Sequence, residues 1–400
     1  MIEIKDKKKC CGCGACFNIC PKNAIKMISD KEGFLYPKVD TKKCIKCGLC
    51  KKVCPILNDN RNNNFYNPKQ YAAWSNDDKN RLSSSSGGLF YELANFILTN
   101  NGVVFGAGFD NELNVIHKVA NNVEDLFELK CSKYVQSNLN DCYLNVKEML
   151  SSEYKVLFVG TPCQVAGLYS FLRNKEYKNL YTIDFVCHGV PSPKVYRKHL
   201  SELESKFNCK AQHVYFRDKS NGWKKFNFKV EFENNKIYKK NLCEDVFIRG
   251  FLKNMYLRPS CHECKFSKIP RVSDITLGDF WGINSISNKL DDDKGTSQVL
   301  INSDKGKYLF DSVFSNIFIS EVDLEFGKKV NPCLISSVNP DKNRDKFFND
   351  LDKNDMKTLE KKYFPKPNIV KRNLQRFKSC IIKIIPSSLK KKIKRIINNS

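Results

Sequence analysis

Eight cysteines near the start of the chain fall in two copies of one spacing, Cys10-x2-Cys13-x2-Cys16-x3-Cys20-Pro21 and Cys44-x2-Cys47-x2-Cys50-x3-Cys54-Pro55. Regularly spaced thiolates closed by a proline form the ligand run of a [4Fe-4S] cluster, and in two-cluster proteins the last cysteine of each run crosses to the other cluster. This groups Cys10, Cys13, Cys16 and Cys54 on one cubane and Cys44, Cys47, Cys50 and Cys20 on the other, with Cys11 left over. A zinc module is the competing reading, but zinc takes its ligands in tetrahedral sets of four, which this repeat matches poorly. One-electron transfer is the chemistry such clusters perform.

Four later segments also carry reactive or anion-binding residue types. Ser83-Ser84-Ser85-Ser86-Gly87-Gly88 precedes a helical pattern, where free amides and hydroxyls cradle a phosphate or simply cap the helix. Gly160-Thr161-Pro162-Cys163-Gln164 and Cys187-His188-Gly189 each follow an apolar strand pattern. Both therefore sit at strand carboxyl ends, where open α/β sheets place their sites. The fourth segment, Arg258-Pro-Ser-Cys261-His-Glu-Cys264 followed by Arg271-Val-Ser-Asp274 and Gly278-Asp279-Phe-Trp281, reads as loop. His188 is the candidate proton carrier, because an imidazole titrates near neutrality; a hydrogen-bonded structural histidine is the alternative.

The elements that must position these residues are legible in outline. Gly12, Gly14 and Gly48 let the backbone wrap closely around each cysteine run. Ala24 to Met27 and Gly33 to Asp40 read as a two-stranded hairpin. A module this small buries too little apolar surface to fold on packing alone, so metal must supply much of its stability. The polar Asn58 to Asn64 stretch reads as a linker. Beyond it, short apolar runs at 102–108, 156–160 and 180–186 alternate with helical periodicity at 88–100 and 193–207. An α/β (α+β) domain with a mixed sheet follows, topped by an antiparallel meander over 214–232. The expected domains are 1–58, a linker at 59–70, a large domain over 71–335, a helical extension over 336–378 and a basic tail over 379–400.

Composition limits the classes. With 400 residues, 41% of them hydrophobic, two or three domains are expected. The nineteen cysteines lie largely at metal spacings rather than in a disulfide framework. Cys131, Cys142, Cys209, Cys243, Cys333 and Cys380 fall outside the motifs and read as small apolar residues. The first residues are charged and lack the apolar core of a signal peptide, and no run reaches the roughly 18 apolar residues of a spanning helix. A cytoplasmic protein is expected. The net charge of +25 is concentrated late: from Lys361 onward there are thirteen Lys and Arg and no Asp or Glu. There Ile382, Ile385, Leu389, Ile393 and Ile396 recur at helical spacing between lysines. That stripe reads either as a peripheral contact with an anionic membrane or as a solvated terminal helix. Nucleic acid is not an expected partner, because the basic residues lack interleaved aromatics.

The double cysteine run followed in order by SSSGGL, GTPCQ, DFVCHGVPSP, RPSCHECKF and RVSDITLGDFWG resembles the coenzyme F420 hydrogenase/dehydrogenase beta-subunit family over about residues 8 to 285. The resemblance implies a flavoprotein in which FAD exchanges electrons between iron-sulfur centres and an organic two-electron partner. It implies a third [4Fe-4S] cluster on Cys163, Cys187, Cys261 and Cys264, for which a zinc clip at Cys261 and Cys264 is the alternative. FAD phosphates would use Ser84, Ser85, Ser86, Gly87 and Gly88. Arg271, Asp274, Asp279 and Trp281 would lie near the flavin, unless the aspartates cap turns. The implied partners are a redox protein, ferredoxin or reductase, and a small-molecule substrate that the motifs do not identify. Some relatives are linked to surface-polysaccharide pathways. A non-catalytic electron-transfer subunit and a polysaccharide-pathway accessory held at a membrane are the competing functions.

Overall fold

The computed structural model describes residues 1–58, 64–65 and 67–366. In the N-terminal unit, β1 (Ile25–Ser29) and β2 (Leu35–Val39) pair antiparallel with Ile25 opposite Val39, the hairpin expected from the sequence. Short helices Ala15–Asn18 and Leu49–Lys52 follow Gly14 and Gly48, whose φ values of 72° and 78° lie in the left-handed region. Each glycine thus turns the chain tightly at the middle of a cysteine run.

The rest of the chain contributes β3 (Lys69–Ser75), β4 (Gly102–Phe109), β5 (Val115–Ala120), β6 (Lys155–Val159), β7 (Leu180–Phe185), β8 (Ala211–Asp218), β9 (Asn227–Phe232), β10 (Ile237–Asn241), β11 (Ile275–Asp279), β12 (Ser297–Ile301) and β13 (Ile317–Glu321). Eight of them form one mixed sheet in the order β13-β3-β12-β11-β7-β6-β4-β5. Its centre, β4, β6, β7 and β11, is parallel, and the flanks are antiparallel. Helices cover both faces of this centre, so β6 is apolar and buried along Val156, Leu157, Phe158 and Val159, as a doubly covered parallel strand requires. A second sheet, β10-β9-β8, is the antiparallel meander. The mixed α/β class agrees with the sequence reading, but Ile275–Asp279, read as loop, is a buried strand. Its polar Thr276 is fully enclosed because it donates to Asp184 on β7 at 2.6 Å.

One apolar core lies between the main sheet and helix Leu89–Thr99, and another between the sheet and helices Cys142–Ser151 and Pro162–Phe171. Cys13 and Ala15 of the N-terminal unit are buried in the second core, so that unit is seated in the large domain. The third core joins the meander to helices Pro193–Phe207 and Val246–Leu252 and to Phe347, Leu351, Met356 and Leu359. Residues 344–363 are therefore an integral layer of the body. The expected basic tail, Cys380 and the end of the expected extension lie outside the described residues. Among the described residues no helix is long and apolar enough to cross a membrane.

Candidate functional site

Three groups of thiols stand in succession from the tip of the N-terminal unit into the body. In the outer group Cys20, Cys44, Cys47 and Cys50 line a cavity of about 380 Å³ walled by Ala24, Ile25 and Val39. Main-chain N–H groups are aimed at its sulfurs: Ile2 donates to Cys50 Sγ at 3.2 Å and Ala24 to Cys20 Sγ at 3.3 Å. In the middle group, burial and then the neighbouring Cys10 and Cys54 raise the Cys16 thiol, and Cys13 lies close enough to Cys16 and Cys54 to feel both. Cys20 thus stands with the second run and Cys54 with the first.

The inner group is assembled by the fold. Cys163 sits in the first turn of helix Pro162–Phe171, started by Pro162 and by a capping box in which Thr161 N donates to Gln164 Oε1 at 2.9 Å. Cys187 leaves the carboxyl end of β7. Cys261 lies in the short helix Pro259–Glu263, with Val190 N donating to its Sγ at 3.4 Å. These three and Cys264 line one cavity of about 750 Å³ together with Cys11, Cys333, His188, Thr161 and Arg271. Burial pushes Cys261 up to about 12 and also raises Cys187 and Cys264. Thiols this buried hold their protons unless a metal takes the protons' place. No three His, Cys, Asp or Glu side chains among the described residues are spaced for a single metal ion. The thiols are instead spread around cavities, an arrangement suited to a multi-iron body in which each iron takes its own thiolate. On this chemistry all three groups fit [4Fe-4S] clusters.

Cys11, the leftover residue, occupies the seam between the middle and inner groups. Its buried thiol is within hydrogen-bonding reach of Cys13 on one side and Cys163 on the other. Arg258 spans the same seam. Fully buried, it donates from Nε to Cys10 O at 2.9 Å and from Nη1 to Gln136 Oε1 at 3.3 Å, and its Nη2 points at Cys10 Sγ at 3.7 Å. The guanidinium lies over the Tyr36 ring at 4.1 Å. It places a fixed positive charge among thiols that would be anionic with metal bound, which favours that form.

His188 lies in the wall of the inner cavity. Asn254 Nδ2 donates to Asn339 O at 2.9 Å, which orients the amide so that its Oδ1 accepts from His188 Nε2 at 2.6 Å. Nδ1 is then the ring's acceptor, and it faces Cys333 Sγ at 3.9 Å. Burial lowers the His188 pKa, so the ring is neutral near pH 7. Cys333, read from the sequence as an ordinary apolar residue, thus belongs to the cavity. Neither it nor Cys11 nor Arg258 sits at a telling spacing; only the convergence of distant segments identifies them.

The residues assigned to flavin divide. The Ser84–Gly88 loop, Asp279 and Trp281 gather around Arg217, which donates to Asp279 Oδ2 at 2.8 Å and Oδ1 at 3.1 Å and to Ser85 O at 3.2 Å, and lies over Trp281 at 5.3 Å. Trp223 donates to Asp279 Oδ1 at 2.7 Å and stacks on Trp281 at 4.6 Å. Arg271 and Asp274 lie elsewhere. Arg271 is in a buried ion pair with Asp184 at 3.1 Å, and Asp274 holds Thr182 N at 2.8 Å and Ser303 Oγ at 2.6 Å at the opposite end of β11 from Asp279. Asp274 thus ties β7 to Ser303, the residue that caps helix Asp304–Asp311. The loop's hydroxyls are also committed: Ser84 to Asn80 O, Ser86 to Thr296 O, and Ser85 accepting from Ser132 N. Gly87 is glycine because a Cβ there would meet Ala73 O at 2.5 Å. As arranged, these residues do not form an open phosphate cradle.

Residues 9–57 match the 4Fe-4S dicluster domain, and residues 153–325 match the C terminus of the coenzyme F420 hydrogenase/dehydrogenase beta subunit. Among solved structures, a chain of the F420-reducing [NiFe] hydrogenase complex from Methanosarcina barkeri, in a xenon derivatization study, aligns at 17% identity with a TM-score of 0.47, covering 70% of this chain and 92% of that one. A search of curated protein sequences finds no match.

Proposed function

We propose that this chain, which matches a 4Fe-4S dicluster domain over residues 9–57 and the C terminus of the coenzyme F420 hydrogenase/dehydrogenase beta subunit over residues 153–325, is an iron-sulfur oxidoreductase moving electrons between its N-terminal tip and the cavity beside Cys187 and His188. The observation that carries this reading is the succession of three cysteine groups, the middle and inner ones bridged by Cys11. Clusters held by such groups supply one-electron transfer. Cys20, Cys44, Cys47 and Cys50 would hold the outer one, Cys10, Cys13, Cys16 and Cys54 the middle one, and Cys163, Cys187, Cys261 and Cys264 the inner one.

The chain's own residues then do three things. Cys11, Tyr36 and Arg258 join the N-terminal unit to the body at the seam. Arg258 offsets the negative charge of the thiolates on both sides of it. Neutral His188, its tautomer set by Asn254, presents Nδ1 as a proton acceptor in the wall of the inner cavity. An organic two-electron acceptor or donor is the substrate class this supports. FAD, implied by the family resemblance, would supply the exchange between one- and two-electron chemistry. The hydroxyls of Ser84 and Ser86, expected at its phosphates, donate to protein carbonyls in this structure.

Anaerobic purification with iron, acid-labile sulfide, zinc and flavin measured per chain tests the reading. About twelve iron with bound flavin supports three clusters and an enzyme. About eight iron without flavin would overturn the inner cluster and leave an electron-transfer subunit.

A further inference from the structure

The outer cysteine group opens on a face unlike the rest of the N-terminal unit. Cys47 is exposed, whereas the other cysteines of the three groups are buried or half-buried. Beside it Ile45 is 58% exposed. Lys22 and Lys46 line the same cavity as Cys47, and Lys42, Lys43, Lys51 and Lys52 lie within five residues of Cys47 in the chain; all six are exposed. None of the six is in an ion pair with another described residue. The single acidic residue between Gly33 and Cys54 is Asp40, which accepts from Lys42 N at 3.0 Å. The remaining carboxylates of the hairpin are spent elsewhere, Asp30 on Lys7 and Glu32 on Arg344.

We propose that this lysine-rich face around Cys47 is the docking surface for a small acidic electron-carrier protein. The proposal rests on the electron-transfer reading above and specifies where the partner binds and its charge. A patch of two exposed apolar residues, Met1 and Ile45, beside lysines suits a small, transient redox contact. Like-signed charges on such a face steer an oppositely charged partner and raise its association rate, an effect that salt removes. An anionic membrane is the less favoured occupant, because among the described residues the face offers two exposed apolar side chains and no amphipathic helix to insert.

The test follows reduction of the holoprotein's iron-sulfur absorbance by stopped flow with two donors, dithionite and a reduced acidic plant-type [2Fe-2S] ferredoxin. In the wild type the ferredoxin rate should fall about tenfold as salt is raised. In Lys22→Glu/Lys42→Glu/Lys43→Glu it should fall a further tenfold or more and lose its salt dependence, while the rate with dithionite, a small anion with no docking surface, falls far less. The corresponding Gln variant should be intermediate, and Lys236→Glu/Lys240→Glu, remote from the face, should change nothing. Equal iron content across variants excludes a folding defect. A salt-independent ferredoxin rate in the wild type, or an unchanged rate in the triple variant, overturns the docking face alone. Failure of both donors to reduce the wild type overturns the electron-transfer reading beneath it. Binding to phosphatidylglycerol vesicles that the triple variant loses, with its ferredoxin rate intact, would overturn the protein partner in favour of a membrane.

Discussion

Gly167 faces Cys13 across the seam between the N-terminal unit and the large domain, so closely that a Cβ on the glycine would fall 2.8 Å from Cys13 Cβ and 3.0 Å from its Sγ. Gly167 lies one helical turn after Cys163, on the same face of the helix. A single stretch of helix therefore presents both the thiol that meets Cys11 and the gap that admits Cys13. Gly167→Val should push the unit outward at a cost of about 1–3 kcal/mol. The expected outcome is a lowered unfolding temperature together with weaker magnetic coupling between the reduced middle and inner clusters by EPR. Unchanged coupling in a destabilised protein would mean the contact is only structural.

Arg344 anchors the hairpin of the N-terminal unit to the body through Glu32, with contacts of 3.2 and 2.6 Å, both side chains buried. Removing one partner of such a pair leaves an uncompensated charge and costs about 3–5 kcal/mol. Arg344→Ala should therefore release residues 30–37 to hydrogen exchange and proteolysis while the main sheet stays protected. Arg344→Lys, which keeps the charge and loses the fork, should fall between the two.

Cys187→Ser and Cys264→Ser should each lower the iron content by about four per chain, the content of one [4Fe-4S] cluster, and leave zinc unchanged. Cys333→Ser should retain that iron, since Cys333 faces His188 rather than the metal cavity's centre. Loss of iron in Cys333→Ser instead would place a different set of four thiols on the inner cluster.

His117 is buried against Ser137 Oγ at 2.7 Å and Val159 O at 3.2 Å, and desolvation lowers its pKa to about 4. The unfolded chain, with a histidine near its ordinary pKa of about 6.5, binds more protons between those values. Stability from the neutral ring is thus complete above about pH 6.5 and is lost as pH falls toward 4, by on the order of 3 kcal/mol in total. Urea unfolding at about pH 7 and pH 5 should show a shallower pH dependence in His117→Gln than in the wild type; identical slopes would exclude His117 as the source.

What the sequence disclosed follows from how local each signal is. The cysteine runs are contiguous, so spacing alone pointed to their chemistry, and the uniformly apolar Val156 to Val159 announced a buried strand. β11 escaped notice because its five residues end in Gly278-Asp279 and its buried threonine is tolerated only once Asp184 stands beside it. The inner cysteine group draws on three separated segments that no periodicity connects, and only the family resemblance grouped them. Cys11, Cys333, Arg258 and Arg217 are ordinary residue types whose roles arise from convergence. The same convergence removes Arg271 and Asp274 from the vicinity of Asp279 and Trp281, although all four share one motif.

The position of β3 has a consequence for biosynthesis. Lys69–Ser75 is made early, yet its sheet neighbours among the described residues are Ser297–Ile301 and Ile317–Glu321. A nascent chain must keep this strand unpaired while more than two hundred residues are translated, whereas the N-terminal unit needs only its own first residues to take up metal. Iron loading at the tip can therefore precede completion of the sheet. A chain halted before residue 297 would carry reducible iron-sulfur centres on an unfinished body, a species for which quality control must provide.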